Sequence, residues 1–452
     1  MSKFEEYDVF VIGTGTAGKK VATACVKEGW KVAIADSREF GGTCSNRGCD
    51  PKKVLLGLTE IIDRAHKMKG FGITKMPEFS WEDLMAFKET FVDAVPAATE
   101  KDFEKLGVTM FHQSPKFLDK NTLSVEGKTI IAKKIVIATG QRPMELKIPG
   151  REHAIVSDDF LNLKHLPENM IFVGAGYIGM EFAHMAARLG VKVTMMDIAS
   201  RPLTNFDEDM VGYLVTASEK LGIKFIFNAE VSEIEKLRKN YRVTAKQDGK
   251  EISEKAELVI NTAGRVPSIE ELDLEKGKVS FSKKGVSVNK YLQNPTNENV
   301  FACGDVSDSE GLPLTPLSSQ EALIVIANLL NPNKPEEVNF PPQPSIVFTL
   351  PNIASVGLSE KEAKEKGYNY RLEHKLVPTW FNAKRVNTEE YAYKTLVDKK
   401  TDLVLGAHLI GPEASEIINM FVMAMCGKLT CKELKTMIYA YPTWGNDIKG
   451  MV

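Results

Sequence analysis

The chain has few cysteines and no long apolar run. Its 452 residues include six cysteines, too few to hold a secreted scaffold of this size together by disulfides. No apolar stretch approaches the roughly 18 residues that a membrane span needs. The first residues lack the basic and then apolar segments of a signal peptide. We therefore expect a cytoplasmic protein that has no membrane partner.

Neither sign of charge dominates. The chain has 58 Lys and Arg against 60 Asp and Glu, a formal net charge of −2. This balance gives no basic field that would attract nucleic acid and no polybasic membrane patch. A globular protein of this length is expected to contain two to four domains.

A strand, a glycine-rich turn and a helix occur twice. The first copy carries Gly13-Thr14-Gly15-Thr16-Ala17-Gly18, and its second strand ends at Asp36. The second copy carries Gly174-Ala175-Gly176-Tyr177-Ile178-Gly179, and its second strand ends at Asp197. This internal duplication predicts two dinucleotide-binding units built on parallel sheets.

The residue types in each copy suit a dinucleotide. Glycine allows a tight turn and a close approach of the backbone to a pyrophosphate, which lies at the N-terminus of the helix. An acid about 20 residues further on can accept hydrogen bonds from ribose hydroxyls. A chance turn would explain one glycine pattern alone, but the strand, helix and acid around both copies favour nucleotide sites. We predict FAD in the first site and a nicotinamide dinucleotide in the second.

Cys44 and Cys49 follow the first copy closely, in the run Gly41-Gly42-Thr43-Cys44-Ser45-Asn46-Arg47-Gly48-Cys49-Asp50-Pro51-Lys52-Lys53. Two nucleotide sites and a close cysteine pair favour an electron relay from hydride donor to flavin to dithiol. Metal ligation and inert burial are the alternatives, although no nearby Cys or His cluster completes a structural zinc site. In an ideal helix the two Cα atoms would be roughly 8–9 Å apart, whereas a disulfide needs less than about 7 Å. We therefore expect a distorted first helical turn at Gly48 and Pro51.

The other cysteines look structural. Cys426 and Cys431 repeat the spacing of the first pair, but their surroundings are typical of an ordinary helix and turn. We interpret them, together with Cys25 and Cys303, as small apolar side chains of the core.

The remaining chain divides at a proline-rich linker, residues 331–344. Before it lie a short strand that leads into Cys303-Gly304-Asp305 and a helix near 318–330. After it, residues 345–452 alternate strands and helices without a nucleotide motif, which indicates an interface role.

These motifs resemble those of the pyridine nucleotide-disulfide oxidoreductases, the family of glutathione reductase, dihydrolipoamide dehydrogenase and mercuric reductase. The resemblance covers Tyr7 to about Asn446 and includes both glycine patterns, the cysteine run and Cys303-Gly304-Asp305-Val306. It implies an α/β fold with two Rossmann-like dinucleotide-binding domains and a C-terminal α+β dimerisation domain, in a homodimer. The implied parts are an FAD-binding domain at 1–150, an NAD(P)-binding domain at 151–280, a central segment completing the FAD site at 281–340 and an interface domain at 341–452.

The resemblance also implies roles for single residues. Cys49 would be the thiolate beside the flavin, and Cys44 the thiol that exchanges with the acceptor. Lys52 would lie near flavin N5 and pair with Glu181, although both could also be surface charges, and Tyr177 would cover the nicotinamide pocket. The implied cofactor-binding residues, among which Asp305 would serve the ribityl-phosphate side of the flavin, are Gly13, Gly15, Thr16, Ala17, Gly18, Asp36, Thr43, Lys52, Thr139, Gly140, Gly174, Gly176, Gly179, Asp197, Gly264, Arg265, Gly304, Asp305 and Thr315.

The C-terminal segment departs from the family pattern. The family's disulfide reductases carry His-Pro-Thr-x-x-Glu there, whose His is the acid/base contributed across the dimer. Here Tyr441 stands in place of the His and Asn446 in place of the Glu, with Asp447 next to it. A phenol with a pKa of about 10 is a poor base near pH 7, so Tyr441 would donate a proton or orient a substrate. Mercuric reductases also carry Tyr at this position, but their C-terminal Cys-Cys pair does not occur in this sequence.

Substrate and cofactor choice also differ from glutathione reductases. Their two carboxylate-binding arginines align with Thr23 and Leu323, which counts against glutathione. Asp197 would repel a 2′-phosphate, and the arginines of NADPH-specific relatives align with Ile198 and Thr204, although Arg201 lies nearby. We therefore predict NAD, with NADP as the alternative.

The sequence thus predicts an enzyme, an FAD-dependent NAD(P)H:disulfide oxidoreductase. Electrons would pass from NADH through FAD to a Cys44–Cys49 disulfide and on to a small-molecule acceptor, expected to be a disulfide. The alternatives are reduction of a metal ion or a quinone, and a non-catalytic redox sensor that retains the fold. We predict no resident metal and no nucleic-acid partner.

Overall fold

The structure is a computed structural model and describes residues 4–452. The first part of the chain forms a parallel sheet flanked by helices. Its strands follow the order β3-β2-β1-β6-β5-β4, in which β3, β2, β1 and β6 are parallel. The elements are β1 (Glu5–Ile12), α1 (Thr16–Lys27), β2 (Val32–Ala35), α2 (Gly42–Arg47), α3 (Cys49–Lys67), α4 (Trp81–Val92), α5 (Val95–Leu106), β3 (Thr109–Phe111), β4 (Lys116–Phe117), β5 (Thr122–Val125), β6 (Lys128–Ile137) and β7 (Gln141–Pro143).

The next part repeats this plan. A parallel sheet of order β11-β10-β9-β15-β8 is followed by an antiparallel sheet of β12, β13 and β14. The elements are β8 (Ala154–Ile155), α6 (Ser157–Phe160), β9 (Asn169–Val173), α7 (Tyr177–Arg188), β10 (Lys192–Met196), α8 (Glu208–Lys220), β11 (Lys224–Ile226), β12 (Ala229–Lys236), β13 (Tyr241–Gln247), β14 (Lys250–Ala256) and β15 (Leu258–Asn261).

The chain then returns to the first sheet. β19 pairs in parallel with β6, and β16 pairs with β7. The elements are β16 (Arg265–Pro267), β17 (Phe281–Ser282), β18 (Gly285–Ser287), β19 (Val300–Ala302), β20 (Ser307–Asp308) and α9 (Thr315–Leu330).

The C-terminal part is an antiparallel sheet of order β21-β22-β25-β24-β23 with α12 packed on it. Residues 331–344, predicted as a linker, contain no helix or strand and lead into this part. Its elements are β21 (Ser345–Val347), β22 (Asn352–Gly357), α10 (Glu360–Glu365), β23 (Tyr370–Leu376), α11 (Phe381–Arg385), β24 (Ala392–Asp398), β25 (Val404–Gly411), α12 (Ala414–Gly427) and α13 (Cys431–Thr436), before a 3₁₀ segment at Trp444–Gly450.

The chain forms two compact units. The first contains the described residues up to Val54 together with Met85–Met144 and Arg265–Phe340. The second contains Leu55–Leu84, Glu145–Gly264 and Pro341–Val452. The predicted domain boundaries at 150, 280 and 340 stay a prediction.

The first unit buries both faces of its sheet, as parallel sheets do. On β1, Phe10 and Ile12 face one apolar cluster, and Val9 and Val11 face the other. None of the helices in the described residues is long and apolar enough to cross a bilayer.

One cysteine prediction was wrong. Cys25, Cys303 and Cys431 are buried as predicted, but Cys426 is exposed. It lies near the end of α12, whose buried side chains, Phe421 among them, face the sheet. Cys426 lies outside that apolar stripe, which the cysteine spacing alone could not reveal.

Candidate active site

The first glycine-rich turn depends on contacts that only glycine permits. Gly13 has φ +108°, and a Cβ there would lie 2.3 Å from the carbonyl oxygen of Ala138. A Cβ on Gly18 would lie 1.9 Å from the carbonyl oxygen of Gly13. Thr16 begins α1, and Gly15 caps the helix without a side-chain hydrogen bond from any described residue. The backbone amides at the start of α1 are therefore available to an anion such as a pyrophosphate.

Asp36 is tied to this turn by its carboxylate. Its Oδ2 accepts hydrogen bonds from the backbone nitrogen of Thr14 at 2.8 Å and from the Thr14 hydroxyl at 2.6 Å. Its Oδ1 accepts one from the backbone nitrogen of Arg38 at 3.1 Å. The Thr14 hydroxyl also accepts a hydrogen bond from the backbone nitrogen of Gly41 at 3.1 Å. Thr14 was not predicted as a site residue, although a hydroxyl residue between the two glycines was a visible signal.

The second turn has the same geometry in the second unit. Gly174 has φ +106°, and its Cβ would lie 2.5 Å from the carbonyl oxygen of Thr262. A Cβ on Gly179 would lie 2.4 Å from the carbonyl oxygen of Gly174. Gly176 caps α7 without a described side-chain hydrogen bond, and a Cβ there would face open space. This turn is also shaped to admit a phosphate.

The carboxylate of Asp197 accepts backbone hydrogen bonds as that of Asp36 does. Its Oδ2 accepts from the backbone nitrogen of Ala175 at 2.5 Å and its Oδ1 from that of Ala199 at 2.7 Å. The guanidinium of Arg201 donates to the backbone carbonyls of its own loop, at 3.0 Å to Leu203 and to Thr204. This hydrogen bonding holds the loop that follows Asp197.

The two predicted redox cysteines lie on either side of a helix break. Cys44 lies in α2 and Cys49 begins α3. Between them Gly48 has φ −138° and ψ −117°, so the predicted distortion is confirmed. The Thr315 hydroxyl, at the start of α9, is 3.6 Å from Cys44 Sγ and 3.8 Å from Cys49 Sγ. Thr315 was predicted as a cofactor-binding residue, and its contact with both sulfurs was not predicted.

The two thiols differ in acidity. A hydrogen bond from the Cys44 thiol, helped by the Thr315 hydroxyl and the positive charge of Lys52, lowers the pKa of Cys49 to about 6 against the opposing effect of desolvation. The same hydrogen bond and desolvation raise the pKa of Cys44. In the dithiol state the negative charge therefore resides on Cys49 and the proton on Cys44.

Several predicted cofactor residues meet in a cleft of about 270 Å³ in the first unit, which Arg265, Gly304 and Asp305 line together with Gln141. Asp305 accepts a hydrogen bond from Ser318 at 3.3 Å, and burial raises its pKa.

Glu321, which was not predicted as a site residue, lies at the same cleft. It accepts a hydrogen bond from the Gly304 backbone nitrogen at 2.6 Å, and burial raises its pKa to about 7. Its signal in the sequence was the single charged residue within the otherwise uncharged helix α9.

The other predicted FAD residues lie around the same elements. Thr43 lies in α2 beside Cys44, Lys52 lies in the first turn of α3, and Ala17 is buried next to Gly304. Thr139 follows β6, and its Oγ1 is buried without a hydrogen-bond partner among the described residues. Gly140 adopts φ +65°. Gly264, predicted as a cofactor-binding residue without a stated cofactor, belongs to the second unit and adopts φ +144°.

Glu181 and Tyr177 lie on α7 in the second unit. Glu181 is buried, and its Oε1 accepts a hydrogen bond from the backbone nitrogen of Phe348 at 2.8 Å. Tyr177 is the first residue of the helix and is 48% exposed. The pairing of Lys52 with Glu181 stays a prediction.

The C-terminal segment exposes Tyr441. Its side chain is 73% exposed and its ring centroid lies 6.3 Å from that of Phe381. The Asp447 carboxylate is bound by other side chains, because it accepts hydrogen bonds from Asn382 and Tyr391. His408 is buried between Ser355 and the carbonyl of Leu358.

The comparisons with known proteins agree with this geometry. The family model described as "Pyridine nucleotide-disulphide oxidoreductase" matches residues 7–322. The model of that family's dimerisation domain matches residues 343–452. The chain belongs to this family.

Similar proteins cover nearly the whole chain. Dihydrolipoyl dehydrogenase of Bacillus subtilis (strain 168) is 31% identical over 468 residues, covering 98% of this chain and 96% of the relative. Mercuric reductase of Staphylococcus aureus is 31% identical over 453 residues, covering 98% and 81%. The solved structure of the HOCl-induced flavoprotein disulfide reductase RclA from Escherichia coli has a TM-score of 0.87 and 27% identity, covering 98% and 99%. A Cu(II) complex of RclA superposes equally well, with a TM-score of 0.87.

The predicted family, fold class and enzyme class are therefore confirmed. The chain is a flavin-dependent disulfide oxidoreductase of a family that uses FAD and NAD(P)H, and it carries that family's dimerisation domain.

Proposed function

We propose that this family member oxidises NADH and reduces a small disulfide through Cys49 and Cys44, as a cytoplasmic homodimer. The observation that carries the proposal is the pair of thiols in contact with one hydroxyl, with the negative charge on Cys49 and the proton on Cys44. This asymmetry suits a relay in which one sulfur faces the electron donor and the other faces the acceptor.

The residues of the first unit fit FAD. The uncapped start of α1 would receive the pyrophosphate, Asp36 a ribose hydroxyl and Asp305 the ribityl-phosphate side. The unpartnered hydroxyl of Thr139 gives a further donor. When bound, FAD would supply two-electron transfer between a nicotinamide and a thiol pair.

The chemistry at sulfur needs a proton transfer. Cys44 loses its proton and attacks the acceptor disulfide, forming a mixed disulfide and releasing one thiolate. The Cys49 thiolate then attacks Cys44 Sγ, which reforms the Cys44–Cys49 disulfide and releases the second thiolate. The dithiol is oxidised, the acceptor is reduced, and both released thiolates take up protons.

NADH is the proposed donor because of Asp197. Its two oxygens each accept one backbone hydrogen bond and each keep a lone pair for a ribose hydroxyl. A 2′-phosphate would meet this carboxylate, while the Arg201 guanidinium is engaged by backbone carbonyls.

Tyr441 supports an acceptor other than glutathione disulfide or lipoamide. An exposed phenol cannot supply the base catalysis that a neutral His contributes, typically 10²–10⁴-fold. We propose that Tyr441 orients the acceptor or donates a proton to a leaving thiolate across the dimer. Disulfides whose reduction needs a base should therefore turn over slowly near pH 7. Their turnover should become faster as pH rises.

Metal-ion reduction is the second candidate. It is favoured by the likeness to RclA, whose solved structures include a Cu(II) complex, and by two thiols that are soft ligands. Among the described residues no three His, Cys, Asp or Glu side chains form a metal-binding group. A copper ion would therefore be a transient substrate held by the two sulfurs.

The test combines an acceptor panel with cysteine variants. Steady NADH oxidation is measured with low-molecular disulfides, quinones, Cu(II) and Hg(II). Cys49→Ser should abolish the thiolate-to-flavin charge-transfer band of the reduced protein, whereas Cys44→Ser should show that band without reductant. Identical spectra for both variants would refute the assigned roles, and turnover with Cu(II) but no disulfide would favour the second candidate.

A further inference from the structure

Thr14 is a fully buried residue whose hydroxyl joins three separate segments of the first unit. It belongs to the glycine-rich turn, donates to the carboxylate of Asp36 at 2.6 Å and accepts from the backbone nitrogen of Gly41 at 3.1 Å. A buried hydroxyl that both donates and accepts has used its hydrogen-bonding capacity on the protein itself. Its loss would leave the Gly41 nitrogen and one acceptor site of Asp36 without partners.

The contact with Gly41 leads directly to the redox cysteines. Gly41 has φ +107° and Gly42, which begins α2, has φ +75°. A Cβ on Gly42 would lie 2.3 Å from the Cα of Gly15, so the backbone of the turn and the start of α2 touch. Cys44 lies two residues further along this helix.

The Asp36 carboxylate has little capacity left. A carboxylate offers about four acceptor sites, and three hydrogen bonds from the protein already reach Asp36, two of them from Thr14. The site left on Oδ1 would serve a single ribose hydroxyl. Thr14 therefore fixes the carboxylate that would orient the adenosine end of FAD.

We propose that Thr14 is a positioning residue that couples the FAD-binding turn to the helix of Cys44 through its hydroxyl. The proposal rests on the proposed function, since it takes the first glycine-rich turn as the FAD site. Without the hydroxyl, the turn binds FAD more weakly and the start of α2 is held less firmly against it. Both consequences come from one side chain that touches neither a sulfur nor the acceptor.

The experiment compares Thr14→Val, which keeps the shape and removes the hydroxyl, with Thr14→Ser, which keeps the hydroxyl. The matched control is Thr59→Val, because Thr59 is equally buried on α3 but donates only to the carbonyl of Leu56. FAD dissociation constants are measured by flavin fluorescence on reconstituted apoprotein. The alkylation rate of Cys44 by iodoacetamide is measured by peptide mass spectrometry on the reduced apoprotein.

Thr14→Val should weaken FAD binding about tenfold, the usual order for losing one buried hydrogen bond, and should speed Cys44 alkylation about threefold. Thr14→Ser and Thr59→Val should stay within about twofold of the wild type in both measurements. Equal losses in Thr14→Val and Thr59→Val, or no change in Thr14→Val, would overturn the proposal. If Thr14→Val does not fold, Thr14→Ala is compared with Thr14→Ser under the same criteria. A wild type that binds no FAD would refute the proposed function instead.

Discussion

Thr14 and Ala175 occupy the same position in the two glycine-rich copies, but their side chains make different contacts. In both copies the backbone nitrogen at this position donates to the acid 22 residues later. Only Thr14 adds a hydroxyl, which reaches the loop in front of Cys44. The first copy is thereby connected to the redox centre, whereas Ala175 can make no such connection.

The loops that follow the two acids are also held in different ways. In the first copy, Asn46 donates to the carbonyl of Phe40 at 3.0 Å, and Arg47 pairs with Glu39 at 2.8 Å. In the second, Arg201 binds the carbonyls of its own loop, and Leu203 donates to the carbonyl of Ala175 at 3.1 Å. The first device joins the loop to the cysteine helix. The second joins its loop to the glycine-rich turn of its own copy.

The largest effect should come from replacing a glycine by alanine in either glycine-rich turn, which adds a methyl group. Gly13→Ala should reduce the flavin content of the purified protein at least tenfold, because the Cβ would meet the Ala138 carbonyl at a strained φ. Gly174→Ala should keep its flavin but slow flavin reduction by NADH by about 100-fold or more. Flavin absorbance and anaerobic stopped-flow measurements separate the two outcomes. Loss of flavin in Gly174→Ala would show that the two copies are not independent.

The next effect concerns cofactor choice in the second copy. Asp197→Ala removes the negative charge that would face a 2′-phosphate, so the ratio of kcat/KM for NADH to that for NADPH should fall about tenfold. The matched variant Asp36→Ala should leave this ratio unchanged and lower FAD affinity. A wild type that prefers NADPH would contradict the assignment and direct attention to Arg201.

Much of this comparison could be predicted from the sequence. The glycines, the two acids and the cysteine run are local patterns with a direct physical meaning, and the predicted linker at residues 331–344 contains no helix or strand. The Thr315 contact with both sulfurs could not be predicted, because it joins residues more than 260 positions apart. The exposure of Cys426 depends on which face of α12 meets the sheet, and spacing alone does not give that.

A smaller effect is expected from Arg201. Arg201→Gln should raise KM for NADH about threefold and leave kcat and flavin content unchanged, because only the loop behind Asp197 would loosen. Arg201→Lys is the control that keeps the charge, and it should not recover the binding, since lysine cannot reach several carbonyls at once. A lowered kcat in Arg201→Gln would place this residue closer to the chemistry than the structure does.

The smallest effect is a twofold change, with pH, in the charge-transfer band of the reduced protein. It should have no counterpart in the second copy. The pKa of Cys49 is lowered to about 6 by the hydrogen bond from Cys44, below the ordinary value for a thiol of about 8.5. The thiolate therefore dominates at pH 7, and the charge-transfer band of the reduced protein should fall to half as pH drops through about 6. Because the folded-state pKa of Cys49 is lowered, the thiolate also stabilises the dithiol form, and this stability should be lost progressively as pH falls from about 8.5 towards about 6. The segment from Gly174 to Gly264 contains no cysteine, and burial lowers the pKa of its histidine, His184, well below the ordinary value, so NADH affinity should stay constant between about pH 5.5 and 7.5. A band midpoint near pH 8 would show that Cys44 does not donate to Cys49 and would remove the asymmetry between the two sulfurs.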